Sequence, residues 1–232
     1  MKVSVIIPTL NEAESIGEVI DSIPTDFADV EVLVIDGDSK DGTQEISTAH
    51  GATVINEPRP GYGRAYKTGF ANASGEIIAT LDGDATYPAE EIPRLVKILA
   101  DGNLDFITCD RLSKLHKTGI MSTRHRLGNW TLTFLTNLLF GLRIVDSQSG
   151  MWVFRKEILK KLELTDDGMP LSEEIKIEAW LKRVKFKEVS VDYRIRKGEV
   201  KLKTWGDGYK NLKFLIRKIL GRVGSPEIDS SK

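Results

Sequence analysis

Two aspartates one residue apart, Asp82 and Asp84, follow the short apolar run 77–81 and flank Gly83. The run has the chemistry of a β-strand, so both carboxylates fall at a strand end. The glycine between them lets a ligand approach the backbone closely. Hard oxygen donors so arranged suit Mg²⁺ or Mn²⁺, which binds through one or two carboxylates and completes its shell with substrate phosphates. Asp-Gly is also turn chemistry, and the pair gains specificity from the acidic strand ends around it. Pro8-Thr9-Leu10-Asn11-Glu12 closes the first apolar run, and Asp36-Gly37-Asp38-Ser39-Lys40-Asp41-Gly42-Thr43 closes the second. Glu12 and Asp36 are expected to face a ligand such as a nucleotide's ribose hydroxyls and base edge, whereas Asp41 and Thr43 are expected to build turn and cap.

Cations supply the complementary half. Residues 1–110 hold 20 Asp and Glu against 7 Lys and Arg, whereas residues 111–232 hold 14 against 26, a split hidden by the net charge of −1. Carboxylates for a metal in the first half and cations for anionic groups in the second are the division this implies. Residues 111–126 are basic, free of acids and read as a loop carrying Arg111, Arg124 and Arg126. Arg194, Arg196, Lys197 and Lys201 surround Gly198, as in a loop that closes over phosphates. Asp146-Ser147-Gln148-Ser149-Gly150-Met151 reads as an ordered loop rich in hydrogen-bonding groups. Glu173 and Glu174 open a helix after Ser172, either complementing its dipole or facing the site.

Some chemistry is excluded. Gly61-Tyr62-Gly63 lacks the third glycine of a dinucleotide fingerprint and follows the third strand, so it reads as a helix-opening loop with Arg64 near a phosphate. No Gly-x-x-x-x-Gly-Lys-Ser/Thr occurs, which removes P-loop ATPases and GTPases. The single cysteine, Cys109, excludes a disulfide framework and a multi-cysteine zinc site. The run 3–7 is stopped by Pro8 and is too short for a signal peptide, and no stretch reaches the ~18 apolar residues of a spanning helix.

The elements that must position these groups alternate. Runs 3–8, 31–35, 53–56 and 77–81 read as strands, separated by helical patterns at 16–23, 42–50, 64–73 and 90–100. Alternation of this kind gives an α/β domain with a mostly parallel central sheet flanked by helices, whose ligands bind beyond the carboxyl ends of the strands. Further on, 128–142 reads as an apolar helix, 150–154 and 186–193 as strands, 173–182 as a helix and 209–220 as a basic amphipathic helix. One domain is expected over 1–222, with a nucleotide and metal half at 1–110, an acceptor half at 111–222 and a flexible tail at 223–232. The apolar 128–142 segment is read as core before membrane surface. For 209–220 the two readings are even.

Taken together, the segments 5–12, 36–43, 82–84, 146–151 and 193–202 resemble the family 2 glycosyltransferases of GT-A fold, and among them the dolichol-phosphate mannose or glucose synthases. The resemblance spans nearly the whole chain. It implies a single Rossmann-like domain with a C-terminal amphipathic helix. It also implies inverting transfer of glucose, N-acetylglucosamine or mannose from a UDP- or GDP-linked donor to a polyprenyl (dolichyl) phosphate. By the same resemblance, Pro8, Leu10, Glu12, Ile35, Asp36 and Asp38 line the nucleotide site, and Asp82 and Asp84 with Gly83 hold Mg²⁺ or Mn²⁺ against the diphosphate. Arg111, Arg126, Arg196 and Lys201 meet the donor diphosphate or lipid phosphate, with Arg124 able to exchange with Arg126 and with Arg64, Asn129 and Gln148 nearby. Glu173 and Glu174 are the carboxylates that face the site in some members. Leu10, Thr86 and Val200 replace a tyrosine, a glutamine and a serine common in the mannose synthases, which keeps UDP donors open. A peripheral position on the cytoplasmic face of a membrane, no nucleic-acid partner, and a membrane partner subunit or homo-oligomer complete the implied picture. The same fold acting on a hydroxyl acceptor, and a non-catalytic nucleotide-sugar-binding subunit, are the two alternatives.

Overall fold

The structure is a computed structural model that describes residues 1–114, 120–198 and 204–223. Seven strands form one sheet in the order β3-β2-β1-β4-β6-β5-β7. These are β1 (Lys2–Thr9), β2 (Asp29–Asp36), β3 (Thr53–Asn56), β4 (Ile77–Thr80), β5 (Phe106–Asp110), β6 (Trp152–Arg155) and β7 (Phe186–Ser190). All neighbouring pairs are parallel except those of β6, which runs antiparallel to both β4 and β5.

Alternate residues of β1 divide between the two faces, as strand geometry requires. Val3, Val5 and Ile7 pack with α1 (Ile16–Asp21) and α4 (Ile92–Asp101), whose Leu95, Val96 and Leu99 are buried. Ile6 packs on the other face with Tyr66 and Phe70 of α3 (Tyr62–Asn72) and Ile175 of α6 (Leu171–Leu181). Residues 3–7 are all buried, the near-continuous apolar pattern of a strand covered on both sides, interrupted only by Ser4. A third cluster joins Phe140 of α5 (Thr123–Phe140), Ile177 of α6, and Phe214 and Leu215 of α7 (Thr204–Val223). Between β2 and β3 lies α2 (Thr43–Ala49).

Three elements differ from the sequence reading. β5 was not expected, because Phe-Ile-Thr-Cys-Asp neither alternates nor forms a β-branched run; pairing with β6 and β7 makes it a strand and buries all five residues. α5 begins at Thr123, so residues 123–126 are helical and not loop. Ser122 caps it, its Oγ accepting from the backbone N–H of His125 at 3.3 Å. α7 runs beyond 209–220 at both ends. Among the described residues no helix is long and apolar enough to cross a membrane.

Candidate active site

β1 sets the geometry of the site. Its register puts Thr9 opposite Asp36 and Ile6 opposite Thr80, so the loops leaving β1, β2 and β4 emerge together at the carboxyl edge of the sheet. Each loop turns through a non-glycine residue of left-handed backbone: Asn11 (φ 51°), Asp38 (φ 68°) and Ala85 (φ 61°). Such residues cost about 1–3 kcal/mol each and persist where their surroundings fix them, commonly at functional sites.

The turn at Ala85 lets Thr86 hold Asp84: its backbone N–H and Oγ1–H donate to Asp84 Oδ1 at 3.1 and 2.6 Å. Asp84 Oδ2 accepts from Arg196 at 2.7 Å, and the same guanidinium donates to Glu12 Oε1 at 2.9 Å. Residues 194–197 lie along the turn, with Arg194 N–H donating to Thr86 O (2.9 Å) and Lys197 N–H to Asp84 O (3.0 Å). Asp82 Oδ1 accepts from the hydroxyl of Tyr62 at 3.0 Å. Burial and the adjacent Asp84 charge push Asp82 up to about 7, against the opposing pull of Tyr62, Arg111 and Arg196.

Across from the aspartates, Arg111 is buried. Its Nε and a terminal nitrogen donate to Asp146 Oδ2 and Oδ1 at 2.7 and 2.9 Å, and its guanidinium lies 5.3 Å from the centre of the Tyr193 ring. The segment 146–150 is fixed from many sides. Lys176 Nζ donates to the carbonyls of Ser147 (2.7 Å) and Ser149 (2.8 Å), Tyr87 OH accepts from Gly150 N–H (2.8 Å), and Glu188 accepts from the backbone of Val145 and Asp146. Burial pulls Lys176 down to about 7, against Asp146 and Glu188, which favour its charge.

A cleft of about 370 Å³ brings together Asp82, Asp84, Arg111, Asn129, Gln148 and Arg196 from the expected set. Tyr62, His125, Met169 and Asn211 join them in its wall, unforeseen as site residues, as do Thr86 and Tyr193, which the sequence resemblance had already touched. Tyr62 had one signal: it stands one helical turn before Tyr66, and both hydroxyls reach Asp82. A larger groove of about 890 Å³ lies at the opposite, amino edge of β4, where Glu76, Arg155 and Lys156 replace the strand-end acids.

Other expectations are corrected. Asp36 is fully buried and its carboxylate accepts from Thr9, Ser39 and Gln44, so it braces the β2 loop. Glu12 is an almost buried partner of Arg196. Ile35 is a core side chain packed with Ile6 and Tyr66. Pro8 is half-buried within β1, Leu10 lies exposed beside Gly37, and exposed Asp38 pairs with Lys40. Gly83 is buried against Thr9 and Glu12, where a Cβ would stand 3.1 Å from Thr9 Cγ2. Arg124 and Arg126 are exposed on the first turn of α5, and His125 between them lines the cleft.

Glu174 is no candidate base: its buried carboxylate accepts from the backbone N–H groups of Thr165 and Asp166 and from the Thr165 hydroxyl. Glu173, also buried, accepts from Gln148 Nε2 at 2.9 Å. Burial pushes it well above the usual carboxylate range, although Gln148 and Lys176 oppose the shift. Lys201 lies outside the described residues.

Arg64 has its guanidinium paired with Asp167. The donors at the start of α3 are likewise engaged by protein carbonyls, Gly63 N–H by Gly168 O (3.2 Å) and Arg64 N–H by Asp167 O (3.0 Å). A Cβ on Gly63 would stand 2.7 Å from Asp166 O and 2.9 Å from two further backbone atoms of residues 167 and 168. Gly63→Ala is therefore expected to lower stability by about 1–3 kcal/mol, read as a lower urea midpoint at unchanged slope. An unmoved midpoint would refute the close approach.

Residues 4–163 match the profile of glycosyl transferase family 2. The chain belongs to this family. Two relatives of this family 2 glycosyltransferase come from Haloferax volcanii. The low-salt glycan biosynthesis hexosyltransferase Agl6 is 33% identical over 217 residues, 92% of this chain and 52% of the relative, so the chain spans about half the length of that protein. A dolichyl-phosphate hexose transferase is 33% identical over 219 residues, covering 94% of this chain and 93% of the relative. Among solved structures, glucosyl-3-phosphoglycerate synthase from Mycobacterium tuberculosis, in complex with Mn²⁺ and UDP-glucose, superimposes with a TM-score of 0.73 at 26% identity, over 95% of this chain and 79% of that one. The fold is of the GT-A type that the sequence resemblance implied.

Proposed function

We propose that this glycosyltransferase moves a hexose, with inversion, from a UDP- or GDP-linked donor to a polyprenyl (dolichyl) phosphate. One observation carries the choice of acceptor: the cleft sets two carboxylates against two guanidiniums, while neither candidate base lines it. Glu173 lies buried behind Gln148, its carboxyl pushed above the usual range by that burial, and Glu174 is held by the 165–166 backbone. A hydroxyl nucleophile needs a base, which commonly supplies 10²–10⁴-fold in rate. A phosphate monoester, with its second pKa near ~6, is already largely dianionic at neutral pH and needs none. Similarity to the Haloferax dolichyl-phosphate hexose transferase supports the same acceptor class.

The donor set fits a divalent cation. Burial and the adjacent Asp84 charge together push Asp82 up to about 7. Among the described residues no third His, Cys, Asp or Glu joins them, which leaves room for substrate phosphates. Asp82 and Asp84 would hold Mg²⁺ or Mn²⁺, which when bound offsets the charge that develops on the diphosphate leaving group.

The chain's own groups do the rest. Tyr62 and Thr86 orient the two carboxylates. Arg111, with its charge secured by Asp146, is a fixed cation facing the cleft. Arg196 belongs to a segment that lies over the site, and exchanging Glu12 and Asp84 for phosphate oxygens would let it help bring two anions together. By the sequence resemblance, Lys201 would add a further cation toward the phosphates. Direct displacement by the acceptor phosphate gives inversion at the anomeric carbon. The reading places the enzyme peripherally on the cytoplasmic face of a membrane.

A panel of UDP- and GDP-linked glucose, N-acetylglucosamine and mannose, offered with a short polyprenyl phosphate with and without Mn²⁺, tests the function. Metal-dependent transfer from one donor is expected; donor binding without turnover on any acceptor would overturn it. Glu173→Gln is expected to keep transfer within about threefold of wild type, since no base is lost. A fall beyond about 100-fold in kcat would instead identify Glu173 as the base of a hydroxyl-directed enzyme.

A further inference from the structure

Two helices bordering the cleft carry more apolar surface than the core uses. On α5, Leu127, Trp130, Phe134 and Leu138 are 63, 62, 52 and 67% exposed, and the spacing i, i+3, i+7, i+11 places them on one stripe. The rings of Trp130 and Phe134 stack along it at 5.8 Å. On α7 the same spacing recurs in Tyr209, Leu212, Ile216 and Leu220, each at least 38% exposed. Neither stripe is needed for packing. The two helices meet through other residues, partly buried Leu135 and Leu139 of α5 packing against the buried cluster that holds Phe214 and Leu215 of α7. Scattered exposed apolar residues are ordinary, but eight in two aligned stripes on packed neighbours mark an interaction surface.

Charge selects the occupant. Between them α5 and α7 carry seven Lys or Arg and a single acid, Asp207. Arg124, Arg126, Lys213 and Arg217 are exposed. A second copy docked through the same face would set cations against cations, whereas an anionic lipid surface complements them. The surface also leads into the cleft, because the early turns of both helices line it, α5 through His125 and Asn129 and α7 through Gly208 and Asn211.

We propose that the outer faces of α5 and α7 form one docking surface for an anionic membrane and hold the cleft mouth against it. Aromatic and aliphatic side chains enter the headgroup boundary, the flanking cations stay at phosphate level, and a lipid-borne phosphate reaches Arg111 and Arg196 without leaving the bilayer. The proposal rests on the polyprenyl-phosphate reading only for why the surface adjoins the cleft.

The test is flotation of the full chain with vesicles free of polyprenyl phosphate, either phosphatidylcholine alone or with about a third phosphatidylglycerol. Wild type is expected to float with the anionic vesicles and to be released by salt. The double variants Trp130→Ser/Phe134→Ser and Ile216→Ser/Leu220→Ser are each expected to lose about tenfold or more in partitioning, while keeping wild-type transfer to a short, water-soluble polyprenyl phosphate. A wild type that stays at the bottom of the gradient, variants that float as well as wild type, or a wild-type dimer that the variants render monomeric would each overturn the surface. A chain that floats but transfers to no polyprenyl phosphate would sink the acceptor reading and leave the surface standing.

Discussion

Asp84→Asn is expected to lower kcat/KM for sugar transfer by about 10³-fold or more while leaving the unfolding midpoint near wild type. Removing one preorganised electrostatic contact from a reacting centre costs about 10²–10³-fold, and this change removes two at once. One of the two carboxylates proposed to hold the divalent cation becomes neutral, and Arg196 loses an anionic partner, since its 2.7 Å bond to Oδ2 would meet an amide donor. The fold is expected to survive because the asparagine oxygen still accepts from Thr86 N–H and Oγ1–H, so the strained turn at Ala85 keeps its closure. Retained turnover with unchanged Mn²⁺ dependence would defeat the assignment. Asp82→Asn separates stability from function. Burial and Asp84 raise the Asp82 carboxyl to about 7, so the folded protein holds that proton more tightly than the unfolded chain does. Its charge therefore destabilises the fold progressively as pH rises from about 4 to 7. In metal-free buffer the asparagine variant is expected to melt higher than wild type at pH 8, the gap closing towards pH 4, and to transfer poorly throughout, the pattern of a site that trades stability for chemistry.

The frame of this site was legible because its signals are local. An apolar run ending in Asp-Gly-Asp is a strand and a turn wherever it occurs, and alternation with helical patterns fixed the parallel half of the sheet. What escaped was decided by distant partners. Asp36 has the residue type of a ribose ligand, but Thr9, Ser39 and Gln44 converge on it, and no spacing in the chain announces three donors on one carboxylate. Gly61-Tyr62-Gly63 has the look of a phosphate loop; its glycines are there because the backbone of residues 166–168, a hundred positions away, passes within reach of a Cβ. Glu173 and Glu174 are adjacent and identical, yet one is sealed behind Gln148 and the other caps a loop, a difference set wholly by tertiary packing. β5 failed for a related reason, since its strand character comes from the neighbours that bury it. The apolar stripe of α5 shows the reverse. Its hydrophobicity was plain, but core packing accounts for only half of the helix surface, with Leu135 and Leu139 inside and Trp130, Phe134 and Leu138 outside.

Asp146→Ala is expected to cost about 3–5 kcal/mol of folding stability, the penalty for leaving a buried charge without its partner. Asp146 is fully buried and Arg111 nearly so, and the bidentate contact at 2.7 and 2.9 Å is reinforced by Asp146 accepting from the backbone N–H groups of Arg111 (3.2 Å) and Gln148 (3.1 Å). Deleting the carboxylate strands the guanidinium beneath the Tyr193 ring and unfastens the loop that carries Gln148 into the cleft. With a urea slope of about 1–3 kcal/mol/M the midpoint should fall by more than about 1 M. A loss under about 1 kcal/mol would show that water reaches the pair and that it behaves as a surface ion pair. The double change Arg111→Met/Asp146→Leu removes both charges together and is expected to recover most of the lost stability, because an apolar pair of similar size can replace a buried salt bridge. Transfer should not return with it. That divergence, a restored fold without restored turnover, would assign Arg111 to the reaction as the cation facing the phosphates and Asp146 to the work of keeping it charged and in place.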